Sequence, residues 1–274
     1  MTFAKLSLLS ERTPASLNSY DFLVSEIKKR LARGKNVIIV VDGDTGSGKS
    51  TLCLRLAADL DQYWINEPLA AAKNLVVFSA AEFLSIVHFL LRGGEEWFRH
   101  RFIVFEEAGA GMRIGAAGAV QESKKVLEVF RQWQISVIFN VPDREIIRDV
   151  LYEHAHHVIW CRDVNFSERV TIARWKQRYR SESKIAFVNP YLLREGIVYS
   201  RVPGALLRVS WAPSEIWEPY QREKEHFFEL LTERSLKRIK RLSKVRGDLS
   251  EAIAREQFEN LVGEEINELE IPDW

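Results

Sequence analysis

The apolar positions along the chain change period repeatedly, and each change predicts an element. Leu23, Ile27 and Leu31 recur at four-residue spacing within 21–33, the stripe of an amphipathic helix, and Gly34 follows as its stop. Val37, Ile38, Ile39, Val40 and Val41 are consecutive, and such a run predicts a strand buried on both faces of a parallel sheet. Residues 51–58 read as a helix and 74–78 as a second short strand. Ser79 with Glu82 three residues later makes a capping box that opens a helix over 80–91, ended by Arg92-Gly93-Gly94. Phe102-Ile103-Val104-Phe105 is a third strand, delivering Glu106 and Glu107. A helix over 121–133 precedes a fourth strand at 135–139, which ends in Asn140. A helix over 143–152 and a fifth strand over 157–161 complete the series. Strands alternating with helices predict an α/β fold with a mostly parallel central sheet.

Beyond residue 168 the pattern changes. Residues 170–179, 184–188 and 196–202 are β-rich, with aromatic and arginine residues interleaved and turns at Asn189-Pro190 and Glu195-Gly196. An antiparallel hairpin or extra edge strands are expected. Arg174, Lys176, Arg178 and Arg180 either contact phosphates there or form a solvated strand face. From Pro213 the chain turns helical and charged, with imperfectly periodic Phe227, Leu231, Leu236, Ile239 and Leu242. A basic run over 234–246 gives way to an acidic end over 251–270. That asymmetry suits a tail that pairs with itself, docks on a neighbour or touches DNA, or a solvated helical appendage. The expected division is an N-terminal helical segment 1–35 packing on the core, a core 36–203 with its β extension at 168–203, and a charged helical appendage 204–274.

Composition narrows the class. With 274 residues, 46% hydrophobic and 28% charged, the chain suits one α/β domain plus an appendage. A net charge of +1 gives no bulk argument for nucleic acid, so any basic surface is local. Cys53 and Cys161 fall in a predicted helix and strand and read as reduced core residues of a cytoplasmic protein. Met1 to Ser10 lacks the charged start and cleavage pattern of a secretion signal. No apolar run approaches the roughly 20 residues of a membrane helix. His154, His156 and His157 form no compact three-ligand pattern, and alternation at a strand start explains them.

The candidate chemistry begins at Gly43-Asp44-Thr45-Gly46-Ser47-Gly48-Lys49-Ser50, which fits the phosphate-binding pattern G-x-x-x-x-G-K-[ST] and is followed by Thr51. A strand precedes it and a helix follows, as that chemistry requires. The glycines let the backbone wrap a polyphosphate, and the loop and first-turn amides point at its oxygens. Lys49 reaches the β and γ phosphates of ATP, and the Ser50 hydroxyl is a ligand for Mg²⁺. Glu106 and Glu107 should lie beside them, because ligands of open α/β sheets sit at the carboxyl ends of the strands. Glu106 then acts at the Mg²⁺ shell through water, and Glu107 polarises the water that attacks the γ-phosphate. Asn140 either senses the γ-phosphate or closes a turn before Val141-Pro142. The small-residue stretch 108–118 either moves with nucleotide state, lines a pore or is a plain loop.

The order of loop, intervening strand, Glu-Glu strand and Asn-ended strand resembles the RecA-like P-loop NTPases of the ASCE type, with their added strand and catalytic glutamate. Phe-Glu-Glu-Ala-Gly at 105–109, Val-Phe-Arg-Gln-Trp at 129–133, Ile-Phe-Asn-Val-Pro-Asp at 138–143 and Arg148 are similar to the HerA/FtsK-type ATPases carried by archaeal viruses and conjugative plasmids. Residues 172–202 and Tyr220-Gln221-Arg222-Glu223-Lys224 share the likeness. The resemblance implies an ATPase in a homo-oligomeric, hexameric ring that translocates double-stranded DNA in packaging, conjugation or segregation. Capsid, nuclease or conjugation partners and a host-cytoplasmic setting follow from the same likeness. In such rings an arginine from the next subunit completes each site, and Arg131 and Arg148 are the candidates. Two departures stand out: Glu106 occupies the place of the usual Asp, and no N-terminal barrel or membrane domain is recognisable. Two competing readings remain: a Zot-like nucleotide-dependent assembly switch and a small-molecule kinase. For the kinase no compact lid is evident.

Overall fold

In the computed structural model, residues 19–89, 92, 95–98, 100–106, 128–141, 151–180, 185–198, 201, 203–233 and 236–237 are described. The chain divides into two units, Met1–Glu223 and Lys224–Trp274.

The apolar runs pair as strands of one sheet. They are β1 (Ile38–Gly43), β2 (Val76–Val77), β3 (Phe102–Phe105), β4 (Ser136–Val141) and β5 (His157–Asn165). Their order is β2-β3-β4-β1-β5, and every neighbouring pair is parallel. β1, β3 and β4 are buried at every position, which is why their sequences are continuous apolar runs. The late strand β4 is inserted between β1 and β3. The carboxyl ends of these three strands, Gly43, Asn140-Val141 and Phe105-Glu106, therefore stand side by side.

Helix α1 (Ser19–Leu31) buries Tyr20, Phe22, Leu23 and Ile27. It is tied to α2 (Lys49–Leu60) where the Tyr20 hydroxyl and the Arg55 guanidinium both donate to Asp59, at 2.7 and 2.8 Å. Helix α2 buries Leu52, Leu54 and Leu56 against the sheet, and α3 (Tyr63–Asn66) and α4 (Pro68–Leu75) lead the chain back to β2. At the start of β3, buried Asp61 accepts from the Phe102 amide and the Arg101 guanidinium, at 3.1 and 3.0 Å. Helix α5 (Ala80–Phe89) follows the expected capping box. The Ser79 hydroxyl accepts from the Glu82 amide at 3.2 Å, and Glu82 reaches back to the Phe78 amide at 2.8 Å. Its Phe83 ring meets Phe105, Phe130 and Phe139 at 5.1, 5.0 and 6.0 Å, the aromatic core beneath β3 and β4. After a short turn of helix α6 (Glu95–Phe98) the chain enters β3.

The second half of the sheet is antiparallel. β6 (Val170–Arg180) pairs with β5, then with β7 (Ile185–Val188) along one half and β8 (Ala205–Ser210) along the other. This differs from the expected third β-rich stretch at 196–202. A short helix, α7 (Pro190–Arg194), capped by Asn189, precedes a turn at 195–196 and coil at 197–198. The strand forms instead over Ala205–Ser210, inside the stretch read as the start of the helical appendage, because only there does alternate burial match a strand facing a core on one side. Residues 214–223 are helical, with Ile216 and Tyr220 buried.

In the second unit, residues 224–233 and 236–237 are helical and none of them is buried. The basic run after Lys237, the acidic end, the small-residue stretch 108–118 and residues 143–150 of the helix expected over 143–152 lie outside the described residues, whereas residues 151–154 are helical. Among the described residues no helix is long and apolar enough to cross a membrane. Cys53 and Cys161 are buried free thiols.

Candidate functional site

The glycine loop joins the carboxyl end of β1 to the amino end of α2. Gly43 has φ +145°, and a Cβ there would stand 2.4 Å from the Cys161 carbonyl of the neighbouring strand. Gly48 has φ +83°, and a Cβ there would stand 2.5 Å from the Thr171 hydroxyl and 2.8 Å from a Val164 methyl. Only glycine meets both demands, a left-handed backbone and close packing. Gly48 is the N-cap of α2 and offers no side-chain cap, so the first amides of this 12-residue helix are left for a ligand. Thr51 steadies the loop by donating to the Gly48 carbonyl at 2.7 Å, and its hydroxyl lies 3.1 Å from that of Thr171. The antiparallel extension thus braces the loop from behind.

Lys49 is almost buried, and its ammonium donates to the carbonyls of Gly43 and Asp44, each at 2.7 Å. Beside it, three side chains from three elements converge. The Ser50 hydroxyl donates to Glu106 Oε2 at 3.1 Å, and the Asn140 amide donates to the same carboxylate oxygen at 2.8 Å and to Ser50 Oγ at 3.2 Å. Glu106 is fully buried at the end of β3, where its amide extends the ladder to the Val77 carbonyl. At the end of β4, the Asn140 side chain thus faces Ser50 and Glu106.

A fourth group belongs to this cluster and was not foreseen. Tyr220, from the helical stretch 214–223, is fully buried, and the charge of Glu106 acts on its phenol. Burial, then the Glu106 charge, pushes the phenol well above its ordinary range, so it is a neutral hydroxyl at any physiological pH. The ring is tilted on Trp217 at 5.3 Å and stacked on Phe78 at 6.3 Å. The available signal was Ile216 and Tyr220 at helical spacing, an apolar stripe whose polar tip had to find a partner. Burial likewise pushes up the Cys53 thiol, with Glu106 adding to it, and lifts Cys161 to about 12, so neither is a nucleophile.

Of the other expected site residues beyond the loop, only Arg131 is described, and it lies away from this cluster. Arg131 is exposed, and its charge acts on Arg30 and His156. His156 accepts from the Ile38 amide at 2.9 Å, so Arg131 stands near the amino end of β1, away from the loop. Glu107 and Arg148 lie outside the described residues. Among the described residues no group of three or more His, Cys, Asp or Glu side chains could hold a metal ion by itself. Burial, then the Arg30 charge, pushes His156 down to about 2 and His157 down to about 3.

The site is therefore a glycine-rich, amide-presenting loop at the carboxyl edge of a mostly parallel sheet, flanked by a buried hydroxyl–carboxylate–amide cluster. No family model and no curated protein matches the chain. Among solved structures, the N-terminal domain of zonular occludens toxin from Neisseria meningitidis is similar at a TM-score of 0.35 and 10% identity, over 67% of this chain and 98% of that one.

Proposed function

We propose that the protein is a P-loop nucleoside-triphosphate hydrolase of the RecA-like, ASCE type, acting on ATP with Mg²⁺. The observation that carries this reading is the convergence of Ser50, Glu106 and Asn140 beside Lys49 at the mouth of the glycine loop. The insertion of β4 between β1 and β3 supports the same class, since it is what brings Asn140 into line with the loop.

The residues fit a hydrated magnesium ion. A hydroxyl and a buried carboxylate are hard oxygen donors, and they are too few to form a cage, so the ion would be shared with the triphosphate. Bound there, magnesium supplies charge neutralisation for the β and γ oxygens. The chain does the rest. Loop amides from Gly43 to Thr51 hold the phosphates, and Lys49 exchanges its two carbonyl partners for phosphate oxygens. Ser50 offers a ligand oxygen, and Glu106 orients the surrounding water. Asn140 keeps the Glu106 carboxylate in place. Glu107, the next residue after Glu106, takes the role of polarising the attacking water.

The larger activity in this reading is ATP-driven movement of double-stranded DNA by a hexameric ring in the cytosol, with Arg131 or Arg148 completing the site of the adjoining subunit. It rests on the sequence resemblance, and the two buried free thiols suit a reducing compartment. Steady-state ATP hydrolysis by the full chain with and without duplex DNA tests both levels. Turnover is expected to fall about 100-fold or more in Lys49→Ala. It is expected to rise with duplex and to lose that stimulation as salt increases. No turnover by the wild-type chain overturns the hydrolase. Turnover indifferent to DNA leaves the hydrolase standing, removes the motor and favours an assembly switch.

A further inference from the structure

The two sides of the glycine loop differ in chemistry. The cluster of Ser50, Glu106 and Asn140 lies on the β3–β4 side of β1, so a phosphate-bound cation and the terminal phosphates belong there. A nucleotide held that way would send its ribose and base to the opposite side, where β5 and β6 stand. There β5 runs past the end of β1: Gly43 is level with Cys161, and the strand continues to Asn165. The paired residues Val164 and Thr171 flank the amino end of α2, since a Cβ on Gly48 would stand 2.8 and 2.5 Å from them. One pair further out, at Asn165 and Val170, the chain turns through 166–169. Trp211, directly after β8, docks on that turn, its amide donating to the Arg169 carbonyl at 2.9 Å. Phe166 meets the Trp211 ring edge to face at 5.9 Å, and the Arg169 guanidinium lies 5.4 Å over the same ring. Phe166 is 73% exposed, more than any other large apolar side chain among the described residues. The Trp211 indole N–H is buried with no hydrogen-bond partner among the described residues. Glu168, the acid of the turn, is tied to Arg208 at 2.6 Å.

We propose that the β5–β6 turn and Trp211 form the nucleobase subsite of the glycine loop, with the exposed Phe166 ring stacking on the base and Arg169 and Trp211 backing it. An open aromatic face, a guanidinium and an unspent N–H donor suit a ligand that is planar, π-faced and rich in acceptors, which a nucleobase is. The inference rests on the nucleotide reading of the loop and adds the part of the ligand that the loop does not hold. It divides the work between two elements: the loop captures phosphates, and the turn captures the base.

The test titrates the full chain calorimetrically, in magnesium chloride, with ATP and with ribose 5-triphosphate, which keeps the sugar and phosphates and lacks the base. Phe166→Ala alters an exposed side chain, so its melting temperature is expected to match that of wild type. Its affinity for ATP is expected to fall about tenfold, within the range for stacking one base on an aromatic ring. Its affinity for ribose 5-triphosphate is expected to stay at the wild-type value. Phe166→Tyr, which restores the aromatic face, is expected to recover ATP binding, and this arm decides the matter even where ribose 5-triphosphate binds too weakly to measure. ATP affinity unchanged in Phe166→Ala overturns the inference and leaves the loop reading intact. So does an equal loss for both ligands, which would make Phe166 a support of the loop, and so does failure of Phe166→Tyr to recover binding. A wild-type chain that binds neither ligand overturns both readings.

Discussion

One sheet carries two halves built on different rules. The parallel half, β2-β3-β4-β1, is apolar at nearly every position because both faces are covered, and its chemistry is confined to the strand ends. The antiparallel half, β6 with β7 and β8, is apolar on one face only, as the alternate burial of β8 shows. Its other face brings Trp160, Arg174 and Leu206 into one row across three strands. Burial on both faces buys a rigid platform with functional ends. Burial on one face leaves a brace, and its contribution to the site is indirect: Thr171 and Val164 define the space in which Gly48 must turn.

The comparison breaks most visibly in the core. Phe139, fully buried in β4 against Phe83 and Phe105, should cost about 3–5 kcal/mol on replacement by alanine, measured by urea unfolding. Next comes the place where the halves meet behind the loop. Gly48→Ala should cost about 1–3 kcal/mol of strain and weaken ATP binding, seen in thermal melts and titration. Adding Thr171→Ala should recover part of that loss, because the Thr171 hydroxyl is the nearest obstacle at 2.5 Å. Full additivity of the two changes would mean that the brace does not shape the loop.

The seam between the halves is also pH-sensitive. His156 accepts from the amide at the start of β1, and His157 accepts from the Trp175 indole of β6 at 3.1 Å. Both are held neutral, pushed down to about 2 and about 3, chiefly by burial. An unfolded chain takes up these protons near pH 6.5, the ordinary value for histidine, roughly. Stability is therefore full above that pH and declines below it towards the folded values, by up to about 1.4 kcal/mol per pH unit for each histidine. Denaturant midpoints followed from pH 7.5 to 5 should show the decline, and His157→Asn, which keeps an acceptor for Trp175, should flatten it. The smallest effect belongs to the outer face. Leu206→Ala, at a side chain 52% exposed, should change stability by no more than about 0.5 kcal/mol.

Legibility followed the same division. Val37 to Val41 and Phe102 to Phe105 were readable as strands because two-sided burial writes itself as an unbroken apolar run. The capping box at Ser79 and Glu82 was readable because its bonds are local, although Glu82 chose the Phe78 amide. The third strand of the extension was misplaced because Leu206, apolar yet exposed, blurs the alternation of β8. Asn140 could be placed at a strand end, but its partners could not be named.

Local chemistry alone settles the loop. Three glycines, a lysine and a serine between a strand and a helix specify backbone shape and charge within a few residues, so their meaning survives without the rest of the chain. What surrounds Ser50 depends on contacts between elements far apart in sequence. β4 must slide between β1 and β3 to present Asn140, Thr171 must come round on β6 to back the glycine turn, and Tyr220 must return from the last helix of the first unit to meet Glu106. Those meetings arise from burying apolar faces against one another, a property of the packed sheet that no stretch of the sequence carries by itself.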